Sequence, residues 1–252
     1  MLRVALVVFW ALTQIEPVRA EGSPGCAISI TAAAYDGPSD RYPHGALGDP
    51  LEWTELRLQV TPAASCGRET TALVLTLPEA LVFEDTAPRL ADLDGDGLAE
   101  VITVESHQMN GARLAIYGAV SGSVVRIAAT PYIGRRFRWL APVGGADLDG
   151  DGAMELAYVD RPHLAKTLRV WRFLDGRLSE VASLEGLTNH AFGQTEILGG
   201  IRDCGSGPEV ITADAGWQRI MATQLIEGRL SARAVLPGAE PAQFDAALAC
   251  KD

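Results

Sequence analysis

The sequence predicts an all-β fold, a β-propeller-like array of about four blades with five as the alternative. Three observations lead there. An acidic loop occurs twice, as Asp92-Leu-Asp-Gly-Asp-Gly97 and Asp147-Leu-Asp-Gly-Asp-Gly152, 55 residues apart and each time followed by an apolar or alternating run. A third, eroded copy runs from Asp203 to Ala213 at about the same interval, with Glu209 aligned to Glu100 and Glu155. Past the first twenty residues, no stretch keeps a 3.6-residue apolar period over three turns, so little helix is expected.

The first twenty residues read as an export leader. Met1-Leu2-Arg3 gives a positive start, Val4 to Leu12 an apolar run, and Val18-Arg19-Ala20 a cleavage site before Glu21. The run is too short to span a bilayer of ~30 Å, and no later segment is apolar enough to be transmembrane. A single propeller-like domain is expected over residues 21–252, at a periplasmic or extracellular address.

Short runs punctuated by Gly, Pro, Asn and Asp mark the strands: Ala27 to Tyr35, Leu56 to Val60, Ala72 to Leu77, Val101 to Val104, Leu114 to Tyr117, Val124 to Ala128, Leu156 to Val159, Leu168 to Trp171 and Val210 to Ala213. They group into repeats at about 88–135, 142–187 and 195–237. Pro88 to Asp92 leads into the first loop as an inner strand. Ala242 to Ala249 resembles another inner strand, and the mature chain begins at a second strand. The N- and C-terminal strands are therefore expected to share one blade, 26–85 with 240–252, and so close the ring.

Four cysteines in an exported chain predict two disulfides, with three possible pairings. The ring closure selects Cys26–Cys250, which leaves Cys66–Cys204. The net charge is −11, and −12 once Arg3, Arg19 and Glu16 leave with the leader. That balance argues against nucleic acid. The one basic cluster, Arg135, Arg136 and Arg138 around Phe137 and Trp139, reads as a strand with one wet face.

Carboxylates at alternate positions with glycines between them converge on a hard cation. The expected Ca²⁺ ligands are Asp92, Asp94, Asp96, the carbonyl of Leu98 and Glu100 in one loop. The second loop offers Asp147, Asp149, Asp151, the carbonyl of Ala153 and Glu155. Without a cation, each carboxylate pair at 4 Å costs ~4 kcal/mol at an effective dielectric of 20. Neither loop is an EF-hand, because Thr103 and Tyr158 stand at position 12. The third copy has Ile201 and Gly205 at its ligand positions and is not expected to bind metal.

Residues 88–120 and 142–175 resemble the FG-GAP or VCBS-type repeat of integrin-α-like extracellular β-propellers. The resemblance rests on the strand, the Asp-x-Asp-Gly-Asp-Gly loop and the strand that follows, with a partial Phe192-Gly193 match before the third copy. It implies Ca²⁺ held between adjacent blade strands, hence two sites.

No Gly-x-Ser-x-Gly, His-Glu-x-x-His, zinc spacing or phosphate loop is present. Of His44, His107, His163 and His190, the pair His163 and His190 lies on loops that can reach a central funnel, and with Arg136 they are the candidate ligand-binding residues. The leading expectation is a monomeric, non-enzymatic binding or interaction module for a protein or glycan ligand. The alternative is an extracellular polysaccharide lyase or hydrolase. Clustering of His163, His190 and Arg136 at one pocket is the discriminating observation, since it would favour an enzyme or a small anionic ligand.

Overall fold

A computed structural model describes residues 19–20, 27–63 and 69–251. Among the described residues the chain is all-β apart from one short helix, and every strand pairing is antiparallel. The expected leader and cleavage site fall mostly outside the described residues; its last two, Arg19–Ala20 (β1), pair with Val125 and Val124.

The N-terminal strands β2 (Ile28–Ser39), β3 (Glu52–Pro62), β4 (Thr71–Thr76) and β5 (Leu81–Phe83) share one sheet with a meander, β6 (Arg89–Ala91), β7 (Glu100–His107), β8 (Gly111–Val120) and β9 (Ser123–Ala129). A second meander forms its own sheet: β10 (Leu140–Ala146), β11 (Met154–Asp160), β12 (Thr167–Leu174) and β13 (Arg177–Glu185). The third sheet comprises β14 (Leu187–Thr188), β15 (Gly200–Asp203), β16 (Pro208–Asp214), β17 (Arg219–Ile226) and β18 (Arg229–Pro237).

The second strand of each meander is buried on both faces, which makes the array propeller-like. Along β7, Val101 packs with the N-terminal strands, while Ile102 and Val104 pack with the second meander. On β11, Leu156 and Tyr158 face back to the first meander and Ala157 and Val159 face the third. On β16, Val210 faces back, and Ile211 and Ala213 face the C-terminal helix. A period of two thus feeds two neighbouring cores from one strand.

Two sequence expectations fail at the C-terminus. Residues 242–249 are not a strand: Pro241–Leu248 is a helix, α1, lying against β15 to β18. Pro241 near the first helical position and the alanines around Phe244 favour helix, and Phe244 and Ala247 bury themselves against Ile211, Ala213 and Ile220. No C-terminal strand is present to share a blade with the N-terminal sheet. Cys250 bonds to Cys204, which excludes both Cys26–Cys250 and Cys66–Cys204; Cys26 and Cys66 lie outside the described residues. The helix keeps Cys250 at the third sheet, within reach of the loop after β15.

Candidate functional site

The strands present two groups of chemistry at opposite ends. The acidic loops follow β6 and β10. In the first, Asp92 accepts the N–H groups of Gly95 (2.8 Å) and Gly97 (3.0 Å), and Asp96 accepts that of Leu98. Gly95 and Gly97 adopt positive φ, 76° and 84°, which a side chain would resist. Oxygens of Asp92, Asp94 and Asp96 lie within 4.8 Å of one another. Glu100 is not in that group; it is buried and accepts the Leu93 N–H at 2.8 Å. Burial first, then the neighbouring aspartates, raise its pKa against the pull of that hydrogen bond.

The second loop repeats the turn, with Asp147 accepting Gly150, Asp151 and Gly152 and Asp151 accepting Ala153. Its close oxygens come from a different set, Asp147, Asp149 and Glu155. Arg172 of β12 reaches into this set. Oxygen donors of charge −1 at alternate positions fit a divalent cation at both loops, but only the first has no guanidinium among them.

At the other end, four segments converge where β10 begins and β11 ends: the loop between β2 and β3, the turn entering β10, the hairpin between β11 and β12, and the loop after β14. They enclose a cavity of about 220 Å³ lined by His44, Phe137, Arg138, Trp139, Arg161, Pro162, His163, Leu164 and Phe192. The loop carrying His44 is clasped to the last of these segments by the Gly193 N–H donating to the Ala46 carbonyl at 2.9 Å.

The histidines are fixed by their partners. The Gln194 carbonyl can only accept, so at 2.9 Å it takes the His190 Nε2 proton, and His190 Nδ1 then accepts from His163 Nε2 at 2.8 Å. Both rings are neutral in this chain of donors. Burial, with His190, His44 and Lys166 adding to it, pushes His163 down to about 4, and burial also lowers His190. His44 donates from Nδ1 to the buried carboxylate of Glu84, which also accepts the Ser106 hydroxyl. His44 lines the cavity with its ring stacked against Phe137 at 5.1 Å. Glu84 itself is raised by burial, with His44 opposing.

The basic cluster is not the strand the sequence suggested. Residues 134–138 form a turn, with Phe137 at φ 59°, its N–H donated to the Tyr42 hydroxyl at 2.7 Å. Arg136 does not line the cavity but lies over the Tyr42 and Phe137 rings, at 5.4 and 4.6 Å. The structure thus brings His163 and His190 together, but of the three expected ligand-binding residues only His163 lines the cavity, and Arg136 sits over the Tyr42 and Phe137 rings instead. His107 is elsewhere, against Tyr132. Sequence reasoning did not select His44, Trp139, Arg161 or Phe192 for the site and did not single out Glu84. Their only signal was aromatic residues alternating with His and Arg in three loops.

Residues 92–158 match the family model for the FG-GAP-like repeat, so that segment carries an FG-GAP-type repeat. No curated protein sequence matches the chain. Among solved structures, the chain is similar to the exotype rhamnogalacturonan lyase YesX, at 15% identity and a TM-score of 0.38, over 85% of this chain and 50% of that one. It is also similar to the Bacillus licheniformis rhamnogalacturonan lyase PL11, at 15% identity and a TM-score of 0.36, over 87% and 52%. The chain spans about half the length of either.

Proposed function

We propose that this chain is an exported, calcium-stabilised repeat module that binds a small anionic ligand, an acidic sugar being the class that fits. The supporting observation is the cavity lined by the aromatic residues Phe137, Trp139 and Phe192 and by Arg138 and Arg161, the latter also paired with Asp160 at 2.7 Å. Aromatic faces take the C–H side of a sugar ring, and guanidinium groups take its carboxylate as charge-assisted forks. A cationic rim on a protein of net charge −11 is a local choice rather than a bulk tendency. Phe192 is 61% exposed, available to close over a ligand. A cavity of this volume suits one ring or a chain end rather than a drug-sized molecule. Calcium at the acidic loops orders the strand ends far from the cavity.

A specific geometry favours the enzymatic reading as well: His44 lines the cavity with its Nδ1 held by the buried Glu84, the pairing by which a carboxyl group orients an imidazole for proton transfer. Calorimetric titration with uronates, the matching neutral sugars and acidic oligosaccharides separates the two. Saturable binding of acidic sugars alone, weakened at least ~10-fold by Arg138→Ala with Arg161→Ala, is expected; that factor is the ~1.4 kcal/mol minimum for charge-assisted hydrogen bonds. Reducing ends appearing from the oligosaccharide, and lost in His44→Ala, would move the assignment to an enzyme. Equal binding of neutral sugars, or none of any, removes the ligand class.

A further inference from the structure

Three buried glutamates occupy equivalent places at the start of the second strand of each meander: Glu100, Glu155 and Glu209, exposed by only 6%, 0% and 2%. Each meets its charge differently. In the third meander Arg202, paired across the ladder with Glu209, binds it at 2.9 Å, and Arg233 binds it at 2.8 Å. In the second, Arg172 pairs in register with Glu155, and its guanidinium contacts Glu155 and Asp149 at 2.6 Å and Asp151 at 2.9 Å. In the first, continuing the Val101–Tyr117 register puts Gly118 opposite Glu100. A Cβ at Gly118 would lie 3.6 Å from the Glu100 Cγ, so this is the place from which an arginine would reach the first loop. No ion pair involves Asp92, Asp94, Asp96 or Glu100 among the described residues.

Arg172 donates to two of the carboxylates a cation in the second loop would need, Asp149 and Glu155. Both belong to the close oxygen set, so a guanidinium held there competes with a calcium ion by charge and by the donors it occupies. We propose that the two loops, identical through Asp-Leu-Asp-Gly-Asp-Gly, are unequal: the first is the divalent-cation seat, and the second carries its own cation in Arg172. Calcium enters the second loop only by displacing that side chain. This rests on the reading that the acidic loops bind calcium, and adds to it which loop does so and why.

Arg172 is a partly exposed strand residue, its side chain 23% accessible, and glutamine there keeps the stem while removing the charge. The test is calcium titration of the whole secreted chain, by calorimetry and by equilibrium dialysis. The wild type is expected to show one tight site, with any second site weaker by roughly tenfold or more, since ligand charge sets calcium affinity. Arg172→Gln is expected to show two sites of similar affinity, and Asp92→Asn with Asp94→Asn to lose the tight one. Asp147→Asn with Asp149→Asn should keep it, which tests the proposal without touching Arg172. Two equal sites in the wild type, or one site in folded Arg172→Gln, would overturn the inequality while leaving calcium binding intact. No calcium bound by any variant overturns the underlying reading instead.

Discussion

Glu52 on β3 is 1% exposed, its Oε1 has no hydrogen-bond partner, and Glu84, Asp85 and Asp49 lie close enough to repel its charge. Burial first, then those acids, raise its pKa from 4.5 to about 10. The folded state therefore holds this proton more tightly than the unfolded chain. Its contribution is fully present below about 4.5 and is lost progressively as pH rises toward about 10. Glu52→Gln keeps the shape and removes the titration. It is expected to raise stability at pH 8.5 by at least ~1.4 kcal/mol, the equivalent of one pKa unit, and to leave it nearly unchanged at pH 4.5. Equal effects at both values, read by calorimetry, would mean Glu52 is charged in the fold. His163 has the opposite sign: its depressed pKa costs stability as pH falls from about 6.5 toward 4, so at neutral pH this ring carries no charge.

At the scale of elements, α1 is held by its apolar side and by one covalent tie. The Cys204–Cys250 bridge spans 46 residues and fastens the helix end to the loop that lacks the acidic ligands of the other two. Loop closure of that length constrains the unfolded chain by about 4 kcal/mol in the entropy model. Cys204→Ser with Cys250→Ser is expected to lower the melting temperature by roughly 8–16 °C, given ~2–4 °C per kcal/mol at this size. Hydrogen exchange should quicken over 241–249 before it does over β16. If neither changes, the packing of Phe244 and Ala247 holds the helix alone. This end was poorly legible in the sequence, because Ala242 to Ala249 alternates loosely enough to pass for a strand, and only Pro241 and the Phe244–Ala247–Leu248 spacing pointed to a helix. The meanders were legible because a loop of fixed composition marks each second strand. The cavity was not, since its residues come from four loops and meet only through tertiary packing. The turn at 134–138 was misread because Arg and aromatic residues also alternate on a half-wet strand, and a positive φ at Phe137 leaves no mark in sequence.

In the molecule as a whole, stability is carried from sheet to sheet. The core between the first and second meanders uses Ile102, Ile116, Leu156, Tyr158 and Trp171; the next uses Val159, Val170, Leu187 and Val210. Neighbouring units thus share strands' opposite faces, and a stack of this kind behaves as units coupled by interfaces. With each middle strand buried on both sides, no unit can open without exposing its neighbour's core, so one cooperative transition is expected. Calcium bound in the first loop, where β6 turns into β7, would act on a strand common to two cores and shift that whole transition. Free calcium at ~100 times the dissociation constant stabilises by ~2.7 kcal/mol, or roughly 5–10 °C here. Chelation should therefore lower a single melting temperature by that amount in the wild type and leave Asp94→Asn, which starts low, unmoved. Two separated transitions after chelation would show that the interfaces do not couple the sheets. A wild-type melt indifferent to chelator would show that the carboxylates of Asp92, Asp94 and Asp96 tolerate one another without a cation.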